Sequence, residues 1–212
     1  AYTAGKEAGL KSWVGSEIVM EDGDVVPVLA ATRGGYQNLC RLLSLAKLRS
    51  PKGEGKATWA ELAAHSEGLL ALTGDRDGPL LRAWQQGDCA GMESKLVRMR
   101  ETFGPEKVFV ELQRHRQRDE NNAVSALVEL GRRHRMPLLA TNGVAYAQAS
   151  DRRIADIFTC LRHHTTLDAA GALLSSTEER HVKTERAMRE LFADLPEAVD
   201  NTERVAAQLE FS

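Results

Sequence analysis

Between Val108 and Tyr146 the chain reads VFVELQRHRQRDENNAVSALVELGRRHRMPLLATNGVAY, a strand, a basic turn, a helix and a second strand. No other stretch restricts the fold as much. Val108 to Leu112 and Leu138 to Thr141 are short apolar, partly β-branched runs, and Asn122 to His134 between them carries apolar residues at helical spacing. Two strands joined through a helix belong to a crossover unit, which places them parallel in one sheet. The expected class is therefore α/β with a mostly parallel sheet.

The remaining pattern supplies three more strands. Trp13 to Met20 and Val25 to Ala31 read as a hairpin about Glu21-Asp22-Gly23-Asp24, whose Asp-Gly step favours a tight turn. Pro27 removes a donor from the second of these strands, which is expected to be distorted or partly unpaired. Gly68 to Thr73 reads as a buried strand that ends in the turn Gly74-Asp75-Arg76-Asp77-Gly78. Helices are expected at Tyr36 to Leu48, from the capping box Thr58-Trp59-Ala60-Glu61 to about His65, at Leu80 to Gln86 and at Ala90 to Phe103. From Ser150 onward the chain reads as wholly helical, with Ser150, Thr184 and Asp194 as N-caps. The opening AYTAGKEAGL reads as a helix tail stopped at Gly9 and lacks an initiating Met, so the chain is expected to be a piece of a longer protein. Five strands are too few to close an eight-fold barrel, which leaves an open doubly wound sheet or part of a barrel.

With 212 residues, 42% of them hydrophobic, the chain can bury a full core. A formal charge of −2 gives no global drive toward phosphate backbones and argues against a dedicated nucleic-acid-binding domain. The basic turn residues Arg114, Arg116 and Arg118 remain as local candidates for nucleic-acid contact. Arg132 to Arg135 sit where cations complement the end of a helix dipole. Cys40, Cys89 and Cys160 are odd in number and far apart, which reads as reduced, packed thiols. No apolar run approaches a membrane span and no secretory signal opens the chain, so a soluble cytoplasmic protein without membrane contact is expected.

Functional groups of parallel sheets gather at the carboxyl ends of strands, where this chain offers Glu17, Asp75, Glu111, Gln113 and Asn142. Two or three converging carboxylates would bind a hard cation or shift one another's pKa. No histidine falls on a predicted strand, which argues against softer metals. Other local patterns fail on their own chemistry. The loop SPKGEGK has Ser50 where a phosphate loop needs Gly and Ala57 where it needs Ser or Thr. Asp75-Arg76-Asp77 starts like a calcium loop, but Pro79 and Gln86 stand where ligands are required. Cys160, His163 and His164 lack a distant fourth partner for zinc, and Cys89 has no base near it in sequence.

Four segments, VELQRH (Val110 to His115), PLLATNGVAY (Pro137 to Tyr146), TCLRHHTTLD (Thr159 to Asp168) and LFADLPEAVDNT (Leu191 to Thr202), resemble the PHP (polymerase and histidinol phosphatase) domain of bacterial C-family DNA polymerases. GSE at Glu17, GYQNLCRLLSLAKLR from Gly35 and GLLALTGDRDGPL from Gly68 extend the likeness over nearly the whole chain in order. LATNGV and CLRHHTTLD resemble the error-prone type of alpha subunit more than the main replicative one.

The resemblance implies a distorted seven-stranded β/α barrel whose histidines, carboxylates and a cysteine hold a metal cluster in some members. Those members hydrolyse phosphoesters, including in proofreading, while others keep the domain as a scaffold. Carried over by position, Glu17 matches a retained glutamate, Val25 stands where a strand-opening histidine is expected, and Asp75 replaces a cysteine after Thr-Gly. Gly143 and Ala145 replace the Asp and His of an Asn-Asp-Val-His pattern. The family's opening His-x-His strand and Thr-Asp-His-Asp turn would precede Ala1.

The resemblance thus implies a partial, N-terminally truncated PHP-type barrel over residues 1–148, and a helical extension over 149–212 that leads toward polymerase modules. A non-catalytic scaffold without metal or cofactor is expected, with the polymerase domains of a parent chain, and DNA through them, as partners. The alternative is a divalent-metal phosphoesterase or proofreading exonuclease that uses Glu17, Asp75 and Glu111. Without the opening strands, Trp13 to Met20 and Leu138 to Thr141 are expected to be sheet edges. Such edges either self-associate or are covered by a helix or loop, with Ala1 to Gly9 the nearest candidate.

Overall fold

In the computed structural model, which describes residues 2–51, 53–118 and 120–211, a first helix α1 (Tyr2–Glu7) stops where Gly9 turns left-handed at φ 70°. The Leu10 amide then donates to the Gly5 carbonyl at 2.8 Å and that of Gly9 to Lys6 at 3.1 Å, closing the helix end. Ala1 of the expected helix tail, Lys52 of the SPKGEGK loop and Asp119 of the basic turn lie outside the described residues.

The hairpin forms about the Asp-Gly step. Strands β1 (Gly15–Val19) and β2 (Val25–Ala30) pair antiparallel, and Gly23 supplies the positive φ of 86° that the turn requires. Asp24 in this turn is fully buried, and Lys95 holds both its carboxylate oxygens at 2.8 and 2.6 Å. Hydrogen-bonding groups alternate sides along a strand, and Ala30 donates to Val14 on the β1 side while Val25 donates to Asp77 on the other. Pro27 therefore directs its missing donor away from β1. The β2 pairing with β3 (Leu69–Leu72) runs only from Val28 to Ala30, so proline stands just past its end.

Between these strands come α2 (Arg33–Leu48) and α3 (Trp59–Ala64). The first begins three residues earlier than its apolar spacing predicts because the Thr32 hydroxyl accepts from the Gly35 amide at 3.1 Å. Gly35 is forced by contact, since a Cβ there would lie 1.9 Å from the Gly68 carbonyl oxygen. Thr58 and Glu61 form the expected capping box at the start of α3. Then follow α4 (Pro79–Gln85), α5 (Cys89–Phe103), β4 (Val108–Gln113), α6 (Glu120–Arg133) and β5 (Leu138–Thr141). The sheet order is β1-β2-β3-β4-β5, with β3, β4 and β5 parallel and β2 alone running against the rest. This mostly parallel, five-stranded α/β sheet agrees with part of a PHP-type barrel.

Period-two alternation divides the core. Val108, Val110 and Leu112 face the helices that connect the strands, together with Ile18, Val28, Ala71 and Leu138. Leu70, Leu72, Phe109 and Leu139 face the other way.

The C-terminal region departs from a wholly helical reading. A 3-10 turn at Ala149–Asp151 leads into α7 (Arg152–Arg162), then come α8 (Leu167–Ala170) and a 3-10 turn at Gly171–Leu173. Residues 174–184 form no helix, and His181 there makes an isolated bridge to Tyr146. Finally come α9 (Glu185–Leu191) and α10 (Pro196–Gln208). Thr184 caps α9 as expected. Ser150 does not cap a helix, because it lies inside the 3-10 turn, and Asp194 is engaged by Arg114 while α10 starts at Pro196. Val205 and Leu209 cover the second face of the sheet, and the Glu210 amide donates to the Ala31 carbonyl at 2.9 Å. The region after 148 thus shares a core with the sheet.

Both outer strands have partial cover from elsewhere in the chain, and of the expected helix tail the described residues Thr3, Ala4, Lys6 and Glu7 are exposed. Ala57 donates to the Val19 carbonyl on the outer side of β1 at 2.9 Å, and Glu21 donates back to Ala57. On β5 the Asn201 side chain of α10 donates to the Leu138 carbonyl at 2.8 Å. The packed-thiol reading needs correction: only Cys160 is buried, whereas Cys40 and Cys89 point away from the apolar faces of their helices and are exposed.

Candidate functional site

The alternation of β4 that buries Phe109 also turns Glu111 and Gln113 to the second face of the sheet, at its carboxyl end. The Gln113 amide donates to Glu111 Oε1 at 2.9 Å, and the Thr141 hydroxyl donates to the same oxygen from the end of β5. Glu111 Oε2 is buried without a hydrogen-bond partner, while the Gly74 amide favours the charged form of the carboxyl. Burial pushes this carboxyl above the ordinary glutamate range and the charge of Asp75 adds to the effect, against the Thr141 and Gln113 hydrogen bonds.

Above it opens a cleft of about 560 Å³ between α4 and α6, roofed by residues 172–176. Asp75, Trp84, Glu111, His115, Arg118 and Arg180 line it. His115, just past β4, is buried; its amide donates to both Glu120 oxygens at 2.7 Å, and its Nε2 lies 3.0 Å from the Asn142 carbonyl oxygen. It ties the ends of β4 and β5 to the start of α6. No predicted strand contains it, and its sequence signals are the strand-to-helix turn and its place at the end of the VELQRH segment.

After β5 the chain is pinned by the segment that crosses it. The Asn142 side-chain amide donates to the carbonyls of Glu179 and His181 at 3.0 and 2.6 Å. The Arg180 guanidinium donates through Nε to the Gly143 carbonyl at 2.7 Å, and the Ala145 amide donates to the Arg180 carbonyl at 2.9 Å. Arg180 was not among the residues singled out by sequence, because these partners lie 34 or more positions away.

The other sequence candidates scatter. Glu17 is exposed on β1, across from Pro27, whose ring approaches Gly74 beside Asp75. Glu17, Val25, Gly143 and Ala145 do not line the cleft, whereas Asp75 and Glu111 do. Of the three turn arginines, all candidates for nucleic-acid contact, Arg114 has internal partners. It donates to the Leu191 carbonyl and to Asp194 at 2.8 Å and lies 4.8 Å over the Phe192 ring, and in turn holds the Asp194 carboxyl below its ordinary range. Arg116 is exposed at 3.6 Å from Glu179, and Arg118 stands at the cleft.

A metal cluster of the kind the fold family holds needs several anionic or imidazole donors around one point. The residues present do not fit it. Val25, Gly143 and Ala145 carry no donor side chain, and a Cβ at Gly143 would meet the Gln113 side-chain oxygen at 2.6 Å. Arg180 adds a positive charge beside Gly143. Among the described residues no three His, Cys, Asp or Glu side chains gather as a metal ion would require.

Comparison with known proteins agrees with this topology. The PHP domain family matches residues 1–115. DNA polymerase III subunit alpha of Caulobacter vibrioides is 37% identical over 191 residues, covering 87% of this chain and 16% of that protein. Error-prone DNA polymerase 1 of Agrobacterium fabrum is 29% identical over 212 residues, covering 100% of this chain and 18% of the relative. The corresponding enzyme of Rhizobium meliloti is 32% identical, with the same coverage of 100% and 18%. The chain spans less than a fifth of the length of these relatives. With a family match over its first half and a sheet that agrees with part of the corresponding barrel, the chain belongs to the PHP domain family.

Proposed function

We propose that this chain is a non-hydrolytic PHP module of an error-prone bacterial DNA polymerase, in which it serves as a scaffold for polymerase domains and meets DNA through them. The observation that carries this reading is the set of side chains at the family's ligand positions: Val25, Gly143 and Ala145 offer no donors, and Arg180 stands beside Gly143. A cytoplasmic location suits such a parent, and among the described residues no helix is long and apolar enough to cross a membrane. Residues 1–148 carry the sheet of the module, and 149–212 buttress it toward the polymerase domains. Incubation of the chain with a labelled single-stranded DNA and manganese or zinc tests the reading. The expected result is no cleavage above that of the metal alone; cleavage lost in Asp75→Asn would overturn it.

A second reading, a metal-dependent phosphoesterase or exonuclease, draws on one observation: Asp75 and Glu111 share the cleft and interact unfavourably as charges. The same incubation separates the two, since only this reading requires cleavage.

A further inference from the structure

Helix α7 is built inside out. Its outward face consists of Arg153, Ile154, Ile157, Phe158, Leu161 and Arg162, all exposed, while Arg152, Asp156 and Cys160 turn toward the protein. Ile154 is 54% exposed, Ile157 49%, and Phe158 and Leu161 64% each. The i, i+3, i+4, i+7 spacing makes these four one continuous stripe. The inward side is fixed by polar contacts: Arg152 donates to the Ser175 carbonyl at 2.5 Å and lies 3.5 Å from Asp156. A surface helix normally buries its apolar stripe, and an exposed stripe of this kind marks an interaction surface.

The ends of the stripe state the chemistry of the partner. Arg153 and Arg162 bracket the apolar residues, and among the described residues neither makes an ion pair. A second copy of this chain is a poor match. Antiparallel pairing of two α7 helices would set Arg153 against Arg162 twice, and parallel pairing would set each arginine against itself, so either arrangement opposes like charges. A helix with an apolar stripe flanked by carboxylates complements both features.

We propose that the outward face of α7 docks an apolar helix flanked by acidic side chains, supplied by a polymerase domain outside this chain. The identity of the supplier rests on the reading of the chain as a polymerase module, whereas the chemistry of the contact does not. The relatives matched over this whole chain devote only 18% of their length to it, which leaves ample protein to provide the helix.

The test uses two helical peptides with the same leucine stripe, one flanked by glutamates and the other by lysines, titrated onto the chain by fluorescence anisotropy. The glutamate peptide should bind at least about tenfold more tightly than the lysine peptide. The double variant Arg153→Glu, Arg162→Glu should reverse that preference. Phe158→Asp, an exposed position whose change spares the core, should abolish binding of both peptides while leaving the melting temperature in place. Equal affinity for the two peptides, binding of neither, binding only to phosphatidylglycerol vesicles, or a dimer in light scattering that Phe158→Asp dissociates would each overturn the proposal. DNA cleavage by the wild-type chain would overturn the scaffold reading and leave the peptide preference untouched.

Discussion

Glu111 and Asn142, on adjacent strand ends, show how two polar groups in one buried neighbourhood act oppositely. The Glu111 carboxyl titrates above its ordinary value of 4.5 in the folded chain because burial disfavours its charge. The folded state therefore binds this proton more tightly than the unfolded state. Stability is greatest below the unfolded pKa and falls as pH rises through the folded one. Glu111→Gln keeps an oxygen for Thr141 and Gln113 and removes the charge, so a melting-temperature profile against pH should lose that decline, and the variant should be more stable than wild type at neutral pH. Parallel profiles for wild type and variant would contradict the assignment. Asn142 works in the other direction, since its two donated hydrogen bonds hold the 179–181 crossing against β5. Asn142→Ala should cost about 1–3 kcal/mol in denaturant unfolding, as two part-buried carbonyls lose their donor. At this scale the sequence was least legible. The strand-end positions of Glu111, Gln113 and Asn142 could be read from alternation, but the clamp of Arg114 on Asp194 joins residues 80 positions apart, and Arg180 reaches Gly143 across 37.

Among the elements, each of the five strands was legible because short apolar runs were bounded by Gly, Pro and Asp, and the capping box of α3 because both its members fall within four residues. The irregular 174–184 segment was not. Its conformation is set by contacts to β5 and Tyr146 rather than by its own periodicity, and residues such as Glu178, Glu179 and Arg180 fit a helix equally well by propensity. The edges follow the same logic. Strand β5 has its Leu138 carbonyl satisfied by Asn201, a contact between elements 63 residues apart. Asn201→Val removes that donor and should lower stability by about 1 kcal/mol while raising concentration-dependent association in size-exclusion chromatography. An unchanged elution profile together with unchanged stability would show that the Asn201 cover on β5 is immaterial.

For the molecule as a whole, the sheet, its crossover helices and the helix packed on the second face reproduce the architecture that the sequence implied, while Val25, Gly143 and Ala145, the positions that the resemblance matches to ligands, carry no donor side chain. The α7 stripe belongs to this scale too, since the proposed docking of its exposed apolar face would involve protein outside this chain. The central claim, a PHP fold kept as a scaffold, is tested most directly by titrating manganese and zinc into the purified chain by calorimetry, with metal content measured after dialysis. The account predicts no saturable site that depends on Glu17, Asp75 or Glu111 and no metal retained in stoichiometric amount. Retention of stoichiometric metal by the wild-type chain, lost when Asp75 and Glu111 are replaced by Asn and Gln, would contradict it.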